Sequence, residues 1–189
     1  MKSLANHFLL PLPDQDGSYF DGSLTYICTH SDMGASGLIV NRPTKIDLNK
    51  LLELVEIKRS MKSAPQVYEG GPVEMNAPSV LHTDDVMVEG SIELGHGLGL
   101  TLPVEDTAFH SMLERISGDE GPQKYMVMLG YAGWHQGQLD KEINDNVWLT
   151  CPGSHELLFE TPIGSRADEA ARSIGIDLHL LSGDSSGYA

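Results

Sequence analysis

A chain of 189 residues is long enough to form one globular domain that needs neither disulfides nor a metal to bury its core. Its 27 acidic residues outnumber 12 basic ones, which gives a net charge of −15. Such a surface repels phosphates, so direct binding to nucleic acid is not expected. No apolar run approaches the roughly 18 residues of a membrane span, so no membrane association is expected.

The N-terminal residues 1–13 do not have the pattern of a signal peptide, because their apolar run is short and His7 interrupts it. We predict an edge strand that ends at Pro11 and Pro13, and we expect the protein in the cytoplasm. Cys28 and Cys151 form no C-x-x-C pair and are expected to be reduced in that compartment.

The stretch Ser23–His30 alternates in a way typical of a strand, in which every second side chain lies on the same face. One predicted face carries three residues: Tyr26, Cys28 and His30. The other face, or its edge, takes two: Leu24 and Ile27. A turn at residues 31–34 and a strand at residues 38–41 complete a predicted β-hairpin, whose loop is expected to be longer than two residues.

The next segments predict an amphipathic helix and several short strands. Asp47 can cap a helix whose inward residues recur at intervals of three and four: Leu48, Leu51, Leu52 and Val55. A strand at residues 66–68 runs into the turn Glu69-Gly70-Gly71-Pro72. Further strands are predicted at residues 79–83, 91–94 and 97–102, and a helix preceded by Pro103 at residues 104–116.

The stretch Lys124–Thr150 is the predicted centre of the fold. Tyr125–Leu129 has the continuous apolar run typical of a buried strand. Three glycines are then predicted to break the run: Gly130, Gly133 and Gly137. A helix at residues 138–146 and a strand at residues 147–150 follow. We interpret Trp134 and Trp148 as core or pocket-lining residues, and Glu142 with Asp145 as a solvated acidic face.

The last third of the chain predicts a strand at Leu157–Glu160 and a helix at residues 163–174 that ends before Gly175. Residues 182–189 are rich in glycine and serine and are predicted to be a mobile tail. Ser185 lies in a G-x-S-x-G match, but only two residues follow, too few for the helix of a nucleophile elbow. Residues 1–189 are therefore predicted to be a single α+β domain with a mixed or antiparallel sheet.

Several sequence blocks resemble the bacterial AlgH/YqgE family. They are N-H-F-L-L-P-L-P (6–13), Y-I-C-T-H (26–30), G-A-S-G-L-I-V-N-R-P (34–43), E-G-G-P-V (69–73), V-L-H-T (80–83), L-G-Y-A-G-W-H-Q-G-Q-L-D-K-E-I (129–143), N-V-W-L-T (146–150) and T-P-I-G-S-R (161–166). The resemblance implies a mostly antiparallel sheet that curls into a partial barrel with flanking helices. It also implies an unknown biochemical function, with a loose association to transcriptional regulation.

Cys28 and His30 are the residues whose side chains are best suited to a chemical role. An imidazole on the same face as a thiol can favour the thiolate, which would give a nucleophile or a redox sensor. The alternative is a buried strand cysteine beside a histidine at the end of the strand. The eight histidines form no metal-binding motif, and the glycines at 130–137 do not match a nucleotide-binding loop, so no metal or cofactor is predicted.

These observations favour a non-enzymatic binding or regulatory module that acts through a protein partner or a small ligand. The predicted cleft combines the strand that carries Cys28 and His30 with the two glycine-rich turns. Its residues are Cys28, His30, Gly70, Gly71, Tyr131 and Trp134. Two alternatives stay open, a thiol enzyme or redox sensor that uses Cys28 with His30, and a direct DNA-binding regulator. The sequence gives no basis for predicting the oligomeric state.

Overall fold

Ten strands pair into one sheet in this computed structural model, which describes residues 2–12, 18–103 and 107–181. The strands are β1 (His7–Pro11), β2 (Thr25–Ser31), β3 (Gly34–Ile39), β4 (Pro43–Asp47), β5 (Gln66–Glu69), β6 (Val73–Thr83), β7 (Ile92–Gly95), β8 (Leu98–Thr101), β9 (Tyr125–Trp134) and β10 (Trp148–Pro152). The main order is β10-β1-β2-β3-β9-β6-β8-β7, while β5 joins β4 to β9. Only the β5–β9 pair is parallel among the described strands. The sheet forms a half-barrel, which confirms the predicted α+β class.

Six helices flank the sheet within the described residues. They are α1 (Leu48–Leu54), α2 (Thr107–Ser117), α3 (Gln138–Asn144), α4 (His155–Phe159), α5 (Arg166–Ser173) and α6 (Leu178–Leu181). Asp47 caps α1 as predicted, because its side chain accepts a hydrogen bond of 2.9 Å from the Lys50 amide. No helix in the described ranges is both long and apolar enough to span a bilayer. The predicted mobile tail at 182–189, with Ser185, and the predicted helix start at 104–106 lie outside the described residues.

The two faces of the sheet bury separate cores. On one face, here called the α4–α5 face, helices α4 and α5 pack on a core that includes Tyr26, Met126 and Met128. On the opposite face, here called the α1–α3 face, helices α1 and α2 cover one part and α3 covers the other. Any side chain of the central strands therefore belongs to one core or the other, according to the face on which it lies.

Strand β1 is internal, and the prediction of an edge strand was wrong. Phe8 lies opposite Cys151 of β10 on one side and opposite Tyr26 of β2 on the other. The pairing with β10 joins segments from opposite ends of the chain. A local pattern of apolar residues carries no information about such a distant partner.

Two other local predictions were also wrong. The β2–β3 hairpin has a loop of only two residues, Asp32 and Met33, because Ser31 pairs directly with Gly34. The segment predicted as a strand at Leu157–Glu160 is the helix α4. Its N-cap is Ser154, whose hydroxyl accepts a 3.3 Å hydrogen bond from the Leu157 amide.

Strand β9 continues through Gly130 and Gly133, contrary to the prediction that these glycines end it. Gly130 has a φ of +72°, a conformation that suits glycine, and it lies at the β-bulge between β9 and β6. Before the bulge, Met128 lies in the core of the α4–α5 face. After it, Tyr131 packs against that same core, while Trp134 lies in the core beside α3. The bulge therefore reverses which residues of β9 face each side.

Candidate functional site

A second irregularity, in β2, separates two residues of the predicted cleft. Ile27 pairs with Gly37 and Thr29 pairs with Ser36, so Cys28 is an extra residue in the ladder. Cys28 packs in the core of the α4–α5 face. The side chain of His30 instead reaches α3 on the other face. The prediction that these two side chains share a face was therefore wrong.

Leu24, which precedes β2, also lies on a different face of the sheet from the one predicted. It packs in the same core as Tyr26 and Cys28, although it was placed nearer the opposite face or its edge. Ile27 does lie on the opposite face, in the core beside α3. The side chain of Cys28 thus packs in an apolar core, on the face of the sheet opposite to the imidazole of His30.

Both ring nitrogens of His30 have partners. Its Nδ1 accepts a 3.0 Å hydrogen bond from the Leu4 amide, which can only donate. In the neutral ring the proton is therefore on Nε2, which lies 3.5 Å from Asp140 Oδ1. With this tautomer His30 has no free lone pair for a metal or for abstracting a proton. Its role in this geometry is to tie the N-terminal segment to α3.

The thiol of Cys28 is poorly suited to nucleophilic chemistry. Burial raises its pKa to about 12, and only 4% of the residue is exposed. Burial likewise raises the pKa of Cys151 to about 11. Reactive cysteines have depressed pKa values and access to solvent, so the environment of Cys28 matches a buried structural thiol.

A cavity of about 400 Å³ opens on the α4–α5 face. Strands β2, β3, β6, β8 and β9 contribute to its walls, and the apolar part of the lining includes Leu38, Ala77, Pro78, Leu100, Leu102 and Pro103. The polar side chains of the lining are Ser36, Glu74, Ser79 and Tyr131. Its size and mostly apolar lining are those of a small-ligand site.

Ser79 and Glu74 are two polar residues of the lining that have unused hydrogen-bonding capacity. Ser79 is 5% exposed, and its hydroxyl has no hydrogen-bond partner among the described residues. Glu74 is exposed at the mouth of the cavity and forms no ion pair within the described part of the chain. A ligand in the cavity could reach both groups.

The two glycine-rich segments meet at the edge of this cavity. The amide of Gly70 donates a 2.7 Å hydrogen bond to the Leu129 carbonyl. A Cβ atom on Gly70 would overlap the carbonyl of Gly130, and one on Gly71 would overlap the backbone of Tyr131. Side chains are thus excluded where the backbones cross, so these glycines let the turn support the lining residues Gly130 and Tyr131.

The six residues of the predicted cleft divide between the two faces. Cys28 and Tyr131 line the cavity, and Gly70 with Gly71 packs against the backbone of its lining residues Gly130 and Tyr131. His30 and Trp134 lie on the α1–α3 face and do not contribute to the lining. Sequence reasoning missed Glu74 and Ser79, which lie on one long strand, β6, of which only residues 79–83 were predicted.

Trp134 and Trp148 are core residues, in agreement with the prediction, and they share one acceptor. Both indole Nε1–H groups donate to Glu142 Oε2, at 2.8 and 2.7 Å. Glu142 Oε1 accepts a further 2.8 Å bond from Gln138. Glu142 is therefore a structural acceptor, and its interpretation as part of a solvated face was wrong. Asp145 is exposed as predicted, and pairs with Lys141 at the surface.

No metal centre is found in the described ranges, since no three His, Cys, Asp or Glu side chains there come together as ligands. His82 shows how one histidine is accommodated. It is fully buried, with Nδ1 2.8 Å from the Thr83 carbonyl and Nε2 2.9 Å from the Thr101 hydroxyl. Burial lowers the pKa of His82, so the ring is held neutral within the core.

Comparison with known proteins finds UPF0301 proteins that are similar over nearly their whole length. A UPF0301 protein of Shewanella oneidensis is 40% identical over 187 residues, which cover 96% of this chain and 97% of that protein. A UPF0301 protein of Thioalkalivibrio sulfidiphilus is 39% identical over 188 residues, with 99% and 97% covered.

Solved structures agree with these sequence relatives. The solution structure of AlgH from Pseudomonas aeruginosa superposes with a TM-score of 0.78 at 34% identity, covering 100% of this chain and 97% of its own. A Corynebacterium diphtheriae protein, at 18% identity and a TM-score of 0.70, covers 94% and 90% and shows the fold alone. Residues 8–179 match the AlgH-like family, and the chain therefore belongs to that family.

Proposed function

We propose that this protein is a binding module that takes a small ligand in the cavity of the α4–α5 face. One observation carries the proposal, an apolar cavity of about 400 Å³ that contains the unpartnered hydroxyl of Ser79. The Ser79 hydroxyl forms no hydrogen bond within the described part of the chain, so it is free to bond to a ligand. A ligand that bonds to Ser79 and covers the apolar wall would supply the hydrogen-bond partner that Ser79 lacks and would bury the apolar surface of the cavity.

The chemistry of the lining supports binding without turnover. The thiol of Cys28 is protonated near neutral pH and is separated from His30 by the sheet. Among the described residues no histidine or lysine contributes to the lining, so Ser79 has no imidazole or amine beside it to act as its base. Occupancy of the cavity would then be the signal, and regulation would act through a change in the surface around it.

The two alternatives have weaker support. A redox or nucleophilic role for Cys28 requires a thiolate, which burial disfavours. A direct DNA-binding role requires basic side chains aligned on one surface, whereas the net charge is −15. The cavity is accordingly the feature on which an experiment should concentrate.

Filling the cavity with a side chain tests the proposal. Ala77→Phe would place a ring in the space, whereas Asn76→Phe adds the same ring to the exposed neighbouring residue outside the lining. We expect fragments of a neutral and charged library to shift the amide resonances of Gly130 and Tyr131 in the wild type and in Asn76→Phe. The same fragments should leave Ala77→Phe unshifted.

Either of two results would contradict the proposal. In the first, no fragment at millimolar concentration perturbs these amide resonances in the wild-type protein. In the second, fragments bind Ala77→Phe as well as they bind Asn76→Phe, which would place the binding elsewhere. Circular dichroism of both variants would verify that each retains the native fold.

A further inference from the structure

We infer that the cavity takes a small molecule with an apolar body and a protonated amine, and that the carboxylate of Glu74 holds the amine. The inference rests on the proposed function and adds the chemical class of the ligand. It follows from the charges around the cavity, the position of Glu74 on β6 and the apolar composition of the walls.

The charge of the lining selects against anions. Among the described residues, Glu74 is the one charged side chain of the lining, and no lysine, arginine or histidine of that part of the chain is present there to neutralise a carboxylate or phosphate. The whole chain carries a net charge of −15, which adds a long-range repulsion for anions and attraction for cations. A ligand with a positive charge is therefore favoured over an anionic one of the same shape.

Glu74 is placed at the cavity by a bulge in β6. Val73 lies opposite Tyr131 and Pro78 opposite Leu129, so residues 74–77 of β6 span the same interval as the single residue Gly130 of β9. Glu74 itself has a φ of +46°, in the left-handed region that non-glycine residues rarely adopt. Such conformations persist only where the surrounding structure imposes them, and they concentrate at functional sites.

The bulge is held in place where the backbone of the Gly70–Gly71 turn crosses that of Gly130. A Cβ atom on Gly130 would lie 2.5 Å from the carbonyl oxygen of Gly71 and 3.0 Å from the Cα atom of Met75. The backbone on both sides of Glu74 thus lies directly on Gly130. The carboxylate is presented from a fixed backbone, and no basic side chain among the described residues occupies it.

The remaining lining defines the rest of the ligand. Leu38, Leu100 and Leu102 offer apolar contacts, and the hydroxyl of Ser79 offers one hydrogen bond. A cavity of about 400 Å³ is near the lower end of the range for small-molecule sites, so the ligand should be of phenylalkyl size. An arylalkyl amine combines these properties.

Three probes with the same body and different head groups test the inference. They are 4-phenylbutylamine, 4-phenylbutan-1-ol and 4-phenylbutyrate, each titrated at pH 7.5 while the amides of Gly130 and Tyr131 are followed by NMR. We expect the amine to bind about 5-fold more tightly than the alcohol, the ratio typical of a partly exposed ion pair. The carboxylate should bind more weakly than the alcohol. High salt should reduce the advantage of the amine.

Removing the carboxylate should abolish that preference. In Glu74→Gln the amine should lose about 5-fold in affinity and the alcohol should be unaffected. Glu120→Gln removes one negative charge from an exposed residue outside the lining and should retain the wild-type ranking. Glu74→Asn provides a second neutral variant, because asparagine tolerates the left-handed backbone conformation.

The outcomes separate this inference from the proposed function. If the alcohol binds as well as the amine, or if Glu74→Gln leaves the amine affinity unchanged, the role of Glu74 is wrong while the cavity remains a binding site. Tightest binding by 4-phenylbutyrate would likewise overturn the amine assignment. If none of the three probes perturbs Gly130 or Tyr131 in the wild type, both the inference and the proposed function are overturned.

Discussion

Replacing Glu142 with alanine should strongly destabilise the protein, because this carboxylate accepts hydrogen bonds from both tryptophans of the chain. Trp134 and Trp148 donate to Glu142 Oε2 at 2.8 and 2.7 Å, and each residue is only 6% exposed. Phe20 packs on both indoles, with ring centroids 6.2 and 5.3 Å away. Without the carboxylate, two indole N–H groups would be left in apolar surroundings.

The size of the effect follows from these bonds. A hydrogen bond to a charged group contributes about 1.5–3 kcal/mol, and two such bonds are lost together. Glu142 is only half-buried, so water can replace part of the interaction, and alanine is the better helix former. We expect the free energy of unfolding to fall by about 3 kcal/mol in Glu142→Ala. Glu142→Gln retains one acceptor oxygen and should lose about half as much.

Urea unfolding followed by tryptophan fluorescence measures this loss. The chain contains only two tryptophans, so the emission reports directly on the cluster around Glu142. Asp145→Ala, on the exposed end of the same helix, is the matched control and should change the free energy of unfolding by less than about 0.5 kcal/mol. Equal stability of the Glu142→Ala and Asp145→Ala variants would refute the reasoning.

Three further predictions concern the backbone crossing, a buried histidine and the thiol. Gly130→Ala should lower the free energy of unfolding by about 3 kcal/mol, because its Cβ would lie 2.5 Å from a carbonyl oxygen at a φ of +72°. Gly164→Ala, with no atom within 4 Å, should change it little, and equal melting temperatures would contradict this account. Burial lowers the pKa of His82 below its ordinary 6.5, so its neutral form stabilises the fold fully above pH 6.5, and this stability is lost as the pH falls below that value. The loss of stability from pH 7.5 to 5 should be smaller in His82→Gln, and identical losses would argue against the assignment. Iodoacetamide should alkylate Cys28 at least about 100-fold more slowly than glutathione at pH 7.5, since its pKa is about 12, and comparable rates would exclude a buried thiol.

The sequence predicted best those features that depend on neighbouring residues. The cap of α1 by Asp47 is confirmed, as are the buried residues Leu48, Leu51 and Leu52 on one face of that helix. The helix predicted at residues 163–174 is likewise confirmed by α5, in which Ala170 and Ala171 are fully buried. These patterns act over one helical turn, a range that a local reading of the sequence covers.

Where two local signals in the sequence indicated different structures, the prediction depended on which of them was used. The apolar run that begins at Leu157 fits either a short strand or a helix. Ser154, three residues before Leu157, is a capping residue in the structure and favoured the helix. Glu142 gave no local sign of its role, because the indole of Trp134 reaches it from β9 and that of Trp148 from β10.

The sequence by itself determined the fold class, the helix faces and the family resemblance, because these follow from composition, periodicity and long blocks of matching residues. Only the tertiary structure decided which residues form the cavity. Side chains alternate with a period of two along a strand, so one extra residue moves every later side chain to the other face. The bulges at Cys28 and Gly130 do this in β2 and β9, and they divide the predicted cleft between two sides of the sheet. A bulge is fixed by hydrogen bonds to distant strands, and that information is absent from the local sequence.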